Sequence, residues 1–207
     1  MAFPVQHPLV DHHLTILRDR RTPPSLFREQ AHRLASLIAY SATADLELEA
    51  AEIETPICKM TGSRLKPTIG IVPILRAGLG MVEPLQQLLP DAEVWHLGMY
   101  RDEATSQPVE YYSKLPQDRP CDVGFILDPM LATGGSVLSA IDALQRWGCK
   151  DIRVLSIIAS QPGVDRMSKE HPGVKVYVSA IDPELNENDF IVPGLGDAGD
   201  RIFNTPQ

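Results

Sequence analysis

The chain has 207 residues, 43% of them hydrophobic and 22% charged, with a formal net charge of -8. That size and balance suit one soluble globular domain with a real core, and the acidity argues against a nucleic-acid binder. The three scattered cysteines, Cys58, Cys121 and Cys149, form no C-x-x-C, which speaks against a disulfide scaffold or zinc site and for a reducing cytoplasm. The six histidines show no metal-ligand spacing, and no stretch is apolar enough for a signal peptide or a membrane span.

In chain order, Ser25 can cap a helix continued by Leu26, Leu34, Leu37, Ile38 and Tyr40. Residues 1–45 therefore read as an N-terminal helical segment. Lys66-Pro67 is a break, after which 69–75 read as a buried strand. Arg76-Ala77-Gly78 turns that strand into a helix through Met81, Val82, Leu85 and Leu88-Leu89. Residues 93–98 form a second strand. A polar stretch over about 102–116, ending near Tyr111-Tyr112, reads as a mobile arm or hairpin. Further strands are expected over 123–127, 152–158 and 174–180, with helices over 137–147 and 163–171 between them. Strands alternating with helices imply an α/β fold, an open, mostly parallel twisted sheet flanked by helices. The tail, 182–207, is punctuated by Pro and Gly yet holds Phe190-Ile191-Val192 and Ile202-Phe203. It reads as an ordered, irregular hood over the sheet's ligand-binding edge.

The most informative stretch runs from Val123 to Val137. An apolar strand ends in Asp128, a loop Ala132-Thr133-Gly134-Gly135-Ser136 follows, and Val137, Ala140, Ile141, Leu144 and Trp147 continue at helical spacing. The first turn of a helix offers unbonded N–H groups and a positive dipole end, a natural seat for phosphate. Gly134 and Gly135 let the backbone approach an anion, and Thr133 and Ser136 add hydroxyl donors. Asp128 would repel a bare phosphate, so its presence suits a ligand that also carries sugar hydroxyls or a metal. A plain strand–turn–helix with Ser136 as cap is the competing reading.

Three more segments converge on the carboxyl ends of the strands, where open parallel sheets bind ligands. Arg76 at a strand end suits a phosphate or pyrophosphate, although a surface ion pair would also explain it. Arg101 at the root of the arm could close over a polyanion. Residues 194–199 match G-x-G-x-x-G, but too little chain follows for a helix and second strand, so the dinucleotide reading is rejected. Their exposed backbone groups could instead read a planar base, with Asp197 adding a carboxylate. No G-x-x-x-x-G-K-[ST] exists. Phosphate-binding elements beside a base-reading loop point to transfer of phosphoribose from its diphosphate to a base, with Mg²⁺ on the diphosphate and water kept out.

Residues 72–81, 110–112, 128–136 and 193–203 together resemble uracil phosphoribosyltransferase, a type I phosphoribosyltransferase family, almost end to end. The resemblance implies a pentosyltransferase making UMP and pyrophosphate from uracil and phosphoribosyl diphosphate, a pyrimidine salvage step. It implies catalytic roles for Asp197, Arg101 and Arg76, and donor contacts from Arg76, Arg101, Asp197 and the run Asp128, Pro129, Met130, Leu131, Ala132, Thr133, Gly134, Gly135, Ser136. Uracil would meet Ile191, Gly196, Asp197 and Ala198. Mg²⁺ would be held mainly by the diphosphate and water. A homodimer or higher oligomer is also implied, and Tyr111-Tyr112 and the apolar residues around Met81-Val82 suit burial against a second subunit. Relatives often read Ala-Pro-Glu-Gly where this chain has Ser160-Gln161-Pro162-Gly163. The alternatives are an RNA-binding regulator on the same fold, an enzyme for another base, and a non-catalytic binding module.

Overall fold

The computed structural model describes residues 1–101, 108–113, 115–116 and 119–206; for 99–101 and 108–113 it describes the backbone alone. The chain opens with strand β1 (Ala2–Pro4), then helices α1 (Pro8–Arg18) and α2 (Pro24–Ala42). The helical reading of 1–45 is thus corrected at its start: β1 pairs in parallel with the far end of the chain, and Phe3 stacks on Tyr177 at 5.4 Å. Ser25 does not cap α2; Pro23 is the N-cap and Pro24 occupies the first turn, where its missing N–H costs nothing. A hairpin, β2 (Leu48–Glu54) and β3 (Lys59–Leu65), comes next and was not legible in the sequence.

Strand β4 (Ile69–Pro73) leads through a 3₁₀ turn (Ala77–Met81) into α3 (Val82–Leu88). The strand expected over 93–98 is two: β5 (Glu93–Val94) pairs with β4, whereas β6 (Leu97–Arg101) turns away to pair with β7 (Pro108–Ser113). Within the arm, β7 thus pairs antiparallel with the strand that precedes the arm, and 102–107 and Lys114 lie outside the described residues. Next come β8 (Val123–Leu127), a short β9 (Met130–Leu131), α4 (Gly135–Trp147), β10 (Asp151–Ser160), α5 (Gln161–Glu170) and β11 (Lys175–Asp182). The tail holds a small hairpin, β12 (Glu184–Leu185) with β13 (Ile191–Val192), and α6 (Ala198–Phe203). A helix does form around Gly199, contrary to the sequence reading. Six residues suffice because the Asp197 side chain caps its first turn and Asn204 ends it at φ 55°.

The main sheet has the order β5-β4-β8-β10-β11-β1, all parallel, with β9 extending the edge of β10. β4 and β8 are buried along their whole length, the near-continuous apolar signature of strands covered on both faces. Alternate side chains serve two cores. Phe125 and Leu127 pack with Leu17 of α1, Phe27, Leu34 and Ile38 of α2 and Leu85 of α3. Ile126 and Val154 pack with Val137, Ile141 and Leu144 of α4 and Met167 of α5. Burial of each such side chain contributes about 1.5–3 kcal/mol. Met81 is fully buried in the first core, so it is not available to a second subunit. From β4 the chain steps outward to β5 and then returns to the other side of β4 as β8. The crevice beyond the carboxyl ends of β4 and β8 is the topological switch point.

Candidate active site

The β4 end of this crevice is shaped by close backbone approach. A Cβ on Gly78 would stand 2.3 Å from the Leu127 carbonyl, so only glycine lets the 3₁₀ turn lie against the end of β8. Gly80 faces the hood, where a Cβ would meet the movable end of Ile202, Cδ1, of α6 at 2.9 Å. Arg76 stands at the rim with its side chain 62% exposed, 3.3 Å from the Asp200 carboxylate and 5.9 Å from the Phe203 ring.

At the β8 end, the Asp128 side chain faces the crevice and accepts a 3.3 Å bond from the Met130 N–H. Burial, and secondarily the nearby Asp197 carboxylate, push its pKa up to about 7 against the pull of that N–H. Pro129 and Leu131 point inward and are buried, so they can offer a ligand backbone groups only. Gly134 adopts φ 79° and α4 starts at Gly135, with Gly134 rather than Ser136 at the cap position and no side-chain cap bond. The cap residue Gly134 itself carries no side chain to bond the first-turn N–H groups of α4.

The hood is tied down from beneath by two arginines. Arg18 grips the buried Asp182 with bonds of 2.7 and 2.6 Å and donates to the Gly194 carbonyl at 2.7 Å, while Asp182 accepts the Gly194 N–H at 2.9 Å. Arg201 donates to the carbonyls of Leu17, Leu195 and Asp19 and lies 4.2 Å from the Phe27 ring centroid. Gly194 and Gly196 take φ 61° and 80°, left-handed conformations that glycine adopts freely. They turn the loop so that Gly196, Asp197 and Ala198 face the crevice. Asp197 Oδ1 accepts the Asp200 N–H at 2.8 Å.

These elements enclose a cleft of about 320 Å³ lined by Ala77, Asp128, Met130, Ala132, Ile191, Gly196, Asp197, Ala198 and Gly199, together with Asn188, Asp189 and Phe190. It gathers seven residues singled out in the sequence: Asp128, Met130, Ala132, Ile191, Gly196, Asp197 and Ala198. Thr133 to Ser136 continue from Ala132 into α4. Arg101 ends β6, and its side chain lies outside the described residues. Sequence reasoning missed Ala77 and the hairpin tip at Asn188–Phe190. The tip's one signal is Asn186, whose side chain accepts the N–H groups of Asn188 and Phe190. Phe190 and Phe203, expected to be buried, are 44% and 40% exposed, Phe190 at the cleft mouth.

A switch-point cleft framed by a glycine-rich helix start and an arginine rim is the architecture of the type I phosphoribosyltransferases. A Staphylococcus aureus hypoxanthine phosphoribosyltransferase shares this fold at TM-score 0.51 and 12% identity, over 77% of both chains. Residues 4–205 match the family model for uracil phosphoribosyltransferase. Relatives of that name include proteins of Agathobacter rectalis, 52% identical over 97% of both chains, and Roseiflexus castenholzii, 51% identical over 99% of this chain and 98% of that one. A solved protein of Aquifex aeolicus is 35% identical and superposes at TM-score 0.92 over 98% of each chain. The chain belongs to the uracil phosphoribosyltransferase family.

Proposed function

We propose that the chain transfers phosphoribose from phosphoribosyl diphosphate to uracil, giving UMP and diphosphate in pyrimidine salvage. One observation carries the reading: a single cleft joins a glycine-rich helix start to a backbone loop held open by Gly194 and Gly196. The N–H groups at Thr133 to Ser136 hold the ribose phosphate, and Asp128 takes the ribose hydroxyls. Arg76, with Arg101 from the arm, takes the diphosphate in charge-assisted bonds. As the bond from the anomeric carbon to diphosphate breaks, its electron pair leaves with the diphosphate and positive charge grows on the sugar. The carboxylates of Asp128 and Asp197 face the place where that charge forms. Uracil N1 then bonds the sugar carbon and gives up its proton to the departing diphosphate or to water, with the base held against Ile191 and the Gly196–Ala198 backbone.

Among the described residues no group of three His, Cys, Asp or Glu side chains could hold a metal. The two cleft carboxylates suit a Mg²⁺ that arrives on the diphosphate and keeps most of its water. Such an ion would neutralise the leaving group.

A homodimer or larger oligomer belongs to the same reading. Its support is the β2–β3 hairpin, whose Leu48, Ile53, Ile57, Met60 and Leu65 are all exposed, Ile57 at 93%. A two-stranded hairpin buries little by itself, and such apolar surface favours a protein partner. Among the described residues no helix is long and apolar enough to cross a membrane, and the three cysteines are free. Both facts suit the proposed cytoplasmic setting. The test is diphosphate release with each nucleobase in turn, phosphoribosyl diphosphate and Mg²⁺ present. Uracil alone should give full turnover; equal turnover with cytosine or a purine would refute the assignment.

A further inference from the structure

Against the Ala132–Ser136 loop lies the start of α5, none of whose residues is in the cleft lining. We propose that the first half of α5, through Ser160, Gly163 and Arg166, positions the loop's N–H groups for the donor's phosphate. The proposal rests on the reading of that loop as a phosphate site.

The Ser160 hydroxyl is fully buried and bonds in two directions. It donates to the Ala132 carbonyl at 2.6 Å and accepts the Gly163 N–H at 2.9 Å, so one oxygen joins the loop to the helix. Gly163 sits so close to the loop that a Cβ would lie 2.2 Å from the Ala132 carbonyl oxygen and 3.0 Å from that of Leu131. Arg166 Nη1, further along α5, donates to the Thr133 carbonyl at 3.3 Å.

These contacts fix two successive carbonyls toward α5. In a trans peptide the C=O and the following N–H point in opposite directions. Turning the Ala132 and Thr133 carbonyls toward α5 therefore turns the N–H groups of Thr133 and Gly134 away from it. Those are the two donors that precede the first turn of α4. An alanine at 160 could neither hold Ala132 nor cap α5. Ser160 and Arg166 touch no substrate; they act through the loop and are positioning residues.

The test is steady-state kinetics with each substrate varied, beside thermal melting. Ser160→Ala should raise KM for phosphoribosyl diphosphate about three- to tenfold, the range for loss of one buried hydrogen bond, with kcat and KM for uracil near the native values. Gly163→Ala should move the donor KM further in the same direction. Arg166→Gln, at an exposed side chain that does not endanger folding, should move it least. Ser160→Thr keeps the hydroxyl and should restore the native constant. Ser136→Asp, which sets a carboxylate at the first turn of α4 against the phosphate, serves as reference. If it leaves the donor KM unchanged, the phosphate-site reading fails. If it raises that KM while the α5 variants lower only the melting temperature, α5 is packing and the proposal is overturned.

Discussion

The two ends of the central sheet carry the same kinds of side chain and treat them in opposite ways. At the amino end, Arg153 is buried but saturated: it donates to the Ala42 carbonyl at 2.6 Å, to Asp151 at 2.5 Å and to Asp45. Asp45 also accepts from Lys175 at 2.5 Å, and that ammonium first of all holds its carboxyl below the usual range. Asp122 accepts both the N–H and the hydroxyl of Thr68 at 2.8 Å, which likewise lowers its pKa. At the carboxyl end, Asp128 accepts one backbone N–H and Asp197 another, while burial and the nearby Asp197 carboxylate disfavour the charge on Asp128. Charges satisfied by the protein hold the fold together. Charges with fewer partners among the described residues line the proposed ligand site.

The comparison can be broken at either end. The largest effect is expected at Arg76: replacing it with Ala should lower kcat/KM for phosphoribosyl diphosphate about ten- to a hundredfold, as for loss of charge-assisted bonds. The melting temperature should hardly move, because the side chain is mostly exposed. Lys should rescue only in part, lacking the guanidinium fork. Unchanged donor kinetics in the Ala variant would remove Arg76 from the site.

At the amino end, Arg153→Met should do the reverse. It strips partners from Asp151, Asp45 and the Ala42 carbonyl and should cost about 2 kcal/mol of stability, less than a wholly buried pair because both carboxylates reach solvent. Steady-state constants of the folded variant should match the native ones. A change in donor KM there would show that the two ends are not separate.

Asp128 offers a pH test. Its pKa is raised in the folded protein, so between pH about 4 and 7 the folded state binds more protons than the unfolded one, and stability falls as pH rises through that window. Asp128→Asn removes that penalty. The variant should equal the native protein in stability near pH 4 and exceed it at pH 8, while losing turnover. Urea unfolding at both pH values checks this. A constant difference across the range would mean that Asp128 titrates as an ordinary surface carboxylate.

The smallest effect is expected at Gly196, whose φ of 80° strains a side chain by about 1–2 kcal/mol. Gly196→Val should cut uracil turnover about tenfold, by strain and by crowding the base, with donor affinity unchanged. Equal losses for both substrates would mean that this loop does not read the base alone.

The parts of the fold that were legible are those where chemistry and position coincide. The buried runs of β4 and β8 have no polar alternation to confuse them, and the glycine-rich turn after Asp128 can hardly be anything but a tight connection. The β2–β3 hairpin escaped because Leu48 to Leu65 alternate weakly and bury almost nothing, so their sequence carries no core signal. α6 escaped because its stability comes from one Asp197 cap and from Ile202 packing over Gly80, a contact between residues far apart in the chain. The hairpin tip at Asn188–Phe190 escaped for a similar reason: polar residues in a turn look alike whether or not they line a cleft. Ser160 was visible only as a departure from relatives, and its bond to Ala132 spans 28 residues.

The central claim is that phosphate binds at the carboxyl end and is held by backbone, while the amino-end charges stay closed on themselves. A crystal structure with UMP bound tests it most directly. The account places the nucleotide phosphate against the N–H groups of Thr133 to Ser136, the ribose over Asp128, and uracil against Gly196 to Ala198. A UMP phosphate seated instead among Lys150, Lys175 and Arg153, with the switch-point cleft unoccupied, would contradict it.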